Sequence, residues 1–184
     1  PEELRAAISA YLDKGPDFIK YGGTGHFTYT SMIGFSPDQQ QVMVEETHQR
    51  GRVAETHSTS PEGLRLSILA GIDLIQHPEV LPDTVSDDLV RLIRDRNVMC
   101  AMLSNTITGK VWQKHLDDTA ERERKEAEAR QKQGQEGQQG QQRAKTSAEL
   151  RKERRDRNVG IEIRRVNAQR LIQGGCTVTI ATDN

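Results

Sequence analysis

The sequence predicts an α/β chain built on a parallel sheet with crossover helices. Two observations carry this. Short apolar runs of strand composition alternate with stretches of helical periodicity, about five of each, and the connections between them are short. The helical stretches also begin and end on residues with capping roles, which fixes the order of the elements. An open doubly wound sheet and a closed barrel both fit this alternation. Periodicity does not separate them, and the placement of the polar residues does.

The first helix spans Pro1 to Lys14, with Leu4, Ala7, Ile8 and Tyr11 or Leu12 at helical spacing and Gly15 as its stop. Asp17 to Tyr21 is a short strand, followed by a glycine-bearing loop from Gly22 to Phe35. Ser36-Pro37-Asp38-Gln39 starts the next helix, with Ser as cap, Pro in the first helical position and Gln39 able to reach back. That helix runs to Arg50 and stops at Gly51. Val53 to His57 is a strand. Ser60-Pro61-Glu62 opens a helix that ends before Gly71, and Ile72 to His77 is the next strand. Ser86 caps a helix through Arg96, with Asn97 able to take the left-handed turn. Val98 to Leu103 is a strand. A helix through Gln173, ended by Gly174-Gly175, leads to the last strand, Cys176 to Thr182.

Between Gly109 and Val159 the rhythm breaks. Leu116 to Lys132 is mostly charged, Gln133 to Gln142 is nearly all Gln and Gly, and Thr146-Ser147-Ala148-Glu149 resembles a capping box that restarts a helix. The segment reads as an inserted helical hairpin of coiled-coil character. Its i,i+4 pairs include a favourable Glu121–Lys125 and an unfavourable Glu149–Glu153. The Gln-Gly tract offers little apolar area against roughly 1–2 kcal/mol of backbone entropy per ordered residue, so it is expected to pack against nothing. The organisation is then 1–109, 110–158 for the insertion, and 159–184 for the last helix and strand. Trp112 is expected to pack the insertion's base.

The 184 residues suffice for one domain with a core. Hydrophobic residues make up 34%, and the insertion accounts for the deficit. A net charge of -1 gives no global attraction to nucleic acid. No apolar run approaches the roughly 20 residues of a membrane span. Cys100 and Cys176 lack metal-motif spacing and read as buried free thiols. The chain opens on Pro1-Glu2-Glu3 without Met, which suggests a piece of a longer protein.

Four strands end in an ionisable or metal-capable side chain: Lys20, His57, His77 and Asp183. In a parallel α/β fold such ends share one face, which in barrels holds the active site. Imidazoles suit zinc-like ions and carboxylates complete the shell. A bound divalent ion lowers the pKa of its water toward about 7, and a nearby carboxylate can carry the proton. Each residue alone has an ordinary explanation: a satisfied polar group, a solvent-facing Lys, a helix N-cap. Together they form a pattern that chance rarely produces.

The segments Asp17-Phe18-Ile19-Lys20, Glu55-Thr56-His57, Gly71-Ile72-Asp73-Leu74-Ile75-Gln76-His77 and Ile180-Ala181-Thr182-Asp183-Asn184 resemble the amidohydrolase superfamily, in its imidazolonepropionase-like and Xaa-Pro dipeptidase-like branch. The resemblance implies a partial (β/α)8 TIM barrel, strands four to eight, with a helical insertion after strand seven. It implies metal ligation by Lys20 (as a carbamate), His57, His77 and Asp183, with Asp183 also the catalytic proton shuttle. It implies one or two divalent ions, Zn2+ above all, and a small-molecule or dipeptide substrate cleaved at a C–N bond. The family's His-x-His pair is absent from this sequence, so the isolated chain is expected to be inactive. His77 is followed by Pro78 where that branch usually has Gly.

His26, with Tyr21 and Tyr29, is placed in or beside the loop after Lys20 and is a candidate substrate contact. Ser104, Asn105 and Thr106 are candidates after the next-to-last strand. Gly22-Gly23-Thr24-Gly25 lacks the Lys-Ser/Thr ending of a phosphate loop. His48 and His115 read as surface residues. Deamination and ester hydrolysis are alternatives on the same scaffold. From another class, the rival is a non-catalytic interaction protein that uses the charged insertion.

Overall fold

The computed structural model describes residues 2–25, 32–104, 109–133 and 161–182. Its elements follow the expected alternation: α1 (Glu2–Leu12), β1 (Phe18–Gly22), α2 (Pro37–Gln49), β2 (Val53–His57), α3 (Pro61–Leu69), β3 (Leu74–Gln76), α4 (Asp87–Asp95), β4 (Met99–Leu103), α5 (Gly109–Gln133), α6 (161–173) and β5 (Val178–Ala181).

Local chemistry sets these boundaries. Ser36, Ser60 and Ser86 each cap a helix through the side-chain oxygen, and Ser36 with Gln39 closes a full capping box. Four helices end in the same way. Gly51, Gly71, Asn97 and Gly175 adopt positive φ, and the next residue's N–H bonds back to the fifth carbonyl before it: Arg52 to Thr47, Ile72 to Ser67, Val98 to Ile93, Cys176 to Leu171. This repeated turn delivers the chain from a helix into the following strand.

The strands form one parallel sheet in the order β1-β2-β3-β4-β5. A doubly wound sheet would reverse its order at a switch point, and this one does not. The helices pack in sequence, α1 on α2, α2 on α3 and α3 on α4. They therefore cover one face of the sheet, as in a barrel wall. On that face Ile19 is buried, and Ala54, Ile75, Cys100 and Met102 form one core with Leu64, Ile68, Leu89, Ile93 and Leu171. On the other face the apolar Phe18, Val53 and Met99 remain exposed at 49%, 46% and 39%. Strands this apolar on both faces suit a sheet that is covered on both sides.

Three expectations need adjustment. β3 is only three residues long, because Ile72 completes the turn out of α3 and His77 leaves the strand conformation with φ 40. β5 begins two residues late, because the Cys176 N–H closes the end of α6. Tyr21 does not face the loop after Lys20: it is 5% exposed, beneath the helices, and its hydroxyl donates to Gln40 Oε1 at 3.2 Å. The alternation of β1 dictates this, since Ile19 and Tyr21 share one face.

Cys100 and Cys176 are buried free thiols. The hydrogen bond to Cys176, together with burial, pushes the Cys100 thiol up. The described side chains of α5 are mostly exposed, with ion pairs at i,i+4 such as Lys125–Glu121 at 2.8 Å and Lys114–Asp118 at 2.9 Å. The Gln-Gly tract and the restarted helix from Thr146 lie outside the described residues, as do the side chains of Trp112 and His115. Among the described residues no helix is long and apolar enough to cross a membrane.

Candidate functional site

Lys20, Glu55, His57 and Gln76 share the face of the sheet turned away from the helices, by strand alternation and register: Lys20 pairs with Glu55, and His57 with Gln76. Gln76 joins two of them. Its amide nitrogen donates to Glu55 Oε1 at 3.0 Å, and its amide oxygen accepts from Lys20 Nζ. Burial pushes the Glu55 carboxyl up, against the opposing pull of the Lys20 charge and the Gln76 hydrogen bond. Glu55 and Gln76 were not singled out as site residues in the sequence. A signal was available for Glu55, which shares a strand face with His57, whereas Gln76 joins that face only through the pairing of β2 with β3.

His77 would point toward the helices if β3 continued through it. Its positive φ releases it from the alternation, and its ring comes to lie 6.1 Å from that of His57, centre to centre, with the planes 21° apart. The residue is 5% exposed, while His57 is half-buried. The backbone at His77 is hydrogen-bonded on both sides. Its N–H donates to Ala101 O at 2.7 Å, and its carbonyl accepts from Val80 N at 2.9 Å. His77-Pro78-Glu79-Val80 is thus a β-turn, in which Pro78 occupies the position that prefers proline.

The ends of β1 and β2 are fastened by hydroxyl groups. The Gly23 N–H donates to His57 O at 2.9 Å and to Thr56 Oγ1 at 3.1 Å, and Thr56 Oγ1 donates to Tyr21 O at 2.9 Å. A Cβ on Gly22 would lie 3.4 Å from His57 Nε2, in contact with that imidazole. Thr24 and Thr59 tie the loop after β1 to the loop after β2, with Thr59 N donating to Thr24 Oγ1 at 2.9 Å.

Two of the four predicted ligands are therefore brought together, His57 with His77. Lys20 lies on the same face, with its amine on Gln76. Asp183 lies outside the described residues, as do His26, Tyr29, Asn105 and Thr106; Ser104 is half-buried directly after β4. Among the described residues no group of three or more His, Cys, Asp or Glu side chains could hold a metal ion. The donor chemistry of the His pair suits a divalent ion. Two imidazoles bound to one tetrahedral ion at about 2.0–2.1 Å have ring centres roughly 5 Å apart, so a closure of about 1 Å from the 6.1 Å found here would let the pair share an ion.

No family profile and no curated protein matches the chain. Solved structures do match its fold. The ochratoxinase of A. niger superposes with a TM-score of 0.64 at 17% identity, over 99% of this chain and 34% of that one. Molinate hydrolase gives 0.63 at 21% identity, over 100% and 33%. A Xaa-Pro dipeptidase crystallised with methionine in its active site gives 0.61 at 18% identity, over 100% and 38%. The chain has part of the amidohydrolase fold. It spans about a third of the length of these matching structures. In this TIM-barrel-like fold the uncovered sheet face, with Phe18, Val53 and Met99, corresponds to the interior of the barrel.

Proposed function

We propose that this chain contributes the metal-binding strand ends of a metal-dependent hydrolase that cleaves a C–N bond in an amide, a cyclic amide or a dipeptide. One observation carries the reading: His57 and His77, at the ends of adjacent parallel strands, meet with ring centres 6.1 Å apart. The hydrolase names of the structures with this fold support it.

In this reading His57 and His77 hold one divalent ion, Zn2+, through neutral imidazoles. Lys20, carbamylated by addition of its free amine to CO2 with loss of a proton, and Asp183 complete the set for one or two ions. When bound, the ion supplies Lewis acidity toward a carbonyl oxygen and acidifies a water. Asp183 takes the proton of the attacking water on its carboxylate and delivers it to the nitrogen that leaves as the C–N bond breaks. Glu55 and Gln76 orient Lys20 from the barrel interior. His26 contacts substrate. Further donors, the His-x-His pair that the resemblance implies, would come from other strands of a longer protein, and the isolated chain would be inactive.

The test is hydrolysis of a panel of dipeptides and N-acyl amino acids by the whole protein, before and after chelation. Cleavage should stop on chelation and return with Zn2+. Asp183→Asn should depress turnover by about 10² or more while the metal stays bound. Full activity in Asp183→Asn, or activity that survives demonstrated removal of the metal, would contradict the reading.

A further inference from the structure

The residues 77–86 between β3 and α4 contain no helix or strand, yet they begin with His77, a non-glycine residue in the left-handed region. Such a conformation costs of order 1–3 kcal/mol and persists only where the surroundings determine it. The loop that follows His77 is held by a residue far away in sequence. Asn167, on α6, is fully buried. Its Oδ1 accepts from Val85 N at 2.7 Å, and its Nδ2 donates to Glu79 O at 3.2 Å and Asp83 O at 3.0 Å. One side-chain amide thus satisfies three backbone groups of an otherwise irregular loop. Arg170, one turn along the same helix, adds a fourth contact, its Nε donating to Val85 O at 2.9 Å. The loop is fastened to the sheet as well: fully buried Glu79 accepts from Leu103 N at 2.8 Å, at the end of β4.

We propose that Asn167 is a positioning residue for His77. Its buried amide clamps the loop over 79–85 and so holds the His77 imidazole beside that of His57. The proposal rests on the reading of His57 and His77 as ligands of one ion. A buried, fully engaged amide is a stiff restraint, because loss of any one bond leaves a buried polar group unsatisfied. Groups that orient metal-binding histidines typically change affinity by about 10- to 100-fold when removed. The clamp also ties the site to α6, the helix that follows the charged insertion.

The test compares the whole protein as wild type, Asn167→Ala, Asn167→Ser and Leu171→Ala. Leu171 is fully buried on the same helix and its apolar side chain forms no hydrogen bond, so its truncation removes core packing and leaves the clamp's bonds in place. Zn2+ affinity is measured by competition with a chromophoric chelator, at a temperature where melts show every variant folded. The imidazole NMR signals of His57 and His77 are recorded in the metal-free protein. Asn167→Ala should weaken Zn2+ binding about ten-fold or more and move the His77 signals, while Leu171→Ala lowers the melting temperature and changes neither. Asn167→Ser, which retains one polar group, should fall between and is decisive if the alanine variant does not fold. Wild-type affinity with unmoved His77 signals in the Asn167 variants would overturn the proposal, as would the same losses in Leu171→Ala. If the wild type binds no Zn2+, the metal reading fails, and the imidazole signals alone decide whether Asn167 positions His77.

Discussion

At Tyr21 a single hydroxyl shows how tightly the ends of these strands are tied into the helices. The phenol is buried, donates to Gln40 Oε1, and shares that acceptor with Ser67 Oγ at 2.8 Å. Burial pushes the Tyr21 hydroxyl up to about 12 from 10.0. The consequence for stability has a definite sign. Below pH 10 both folded and unfolded states keep the proton, and the contribution is complete. Between about 10 and 12 the unfolded chain ionises while the folded one does not, so stability falls as pH rises through that window. Tyr21→Phe should therefore flatten the decline in urea-derived stability between pH 10 and 12, at a cost of about 1 kcal/mol near neutrality. An equally steep decline in the variant would show that another group carries it. At this scale the sequence was legible where alternation rules. That Ile19 and Tyr21 share one face and Lys20 the other follows from strand period alone. His77 was not legible, because its left-handed backbone belongs to a turn closed by Val80 and to a loop whose later residues bond to Asn167, ninety positions from His77 in the chain. The Gln76 bridge between Lys20 and Glu55 was hidden for the same reason, since it needs the register of three strands.

The elements themselves were easier to read, because their boundaries are local. Each serine cap and each left-handed helix stop is written within a few residues, and the stops at Gly51, Gly71 and Asn97 fall where expected. Gly51 offers a clean measure of this turn. Its φ is 64 and nothing lies within 4 Å of a Cβ placed there, so a substitution meets only backbone strain. Gly51→Ala should lower stability by about 1–2 kcal/mol, whereas Gly51→Asn should cost less, as Asn97 already fills the equivalent position at the end of α4. Chemical denaturation of both variants checks this. Equal losses for Ala and Asn would mean that the turn's side chain, and not its handedness, sets the cost. The strand ends were less legible than the helix ends. β3 and β5 are shorter than their apolar runs, since the first residues of each run complete the turn from the preceding helix.

At the scale of the molecule, topology decides what the sequence left open. The alternation allowed an open or a closed sheet, and the unreversed strand order with helices on one face selects the barrel type. The same geometry leaves Phe18, Val53 and Met99 uncovered in this chain, on the face that carries Lys20, Glu55 and His57. That face is where a barrel concentrates its chemistry, at the strand ends. There, in the proposed reading, His57 and His77 bind one metal ion. Elemental analysis of the purified whole protein tests it most directly, on wild type, His57→Ala and His77→Ala, each shown to be folded by circular dichroism. The wild type should carry at least about one equivalent of Zn2+ per chain, and both variants should clearly lose metal. A folded wild type that cannot be loaded with a divalent ion, or full occupancy in both variants, would contradict it.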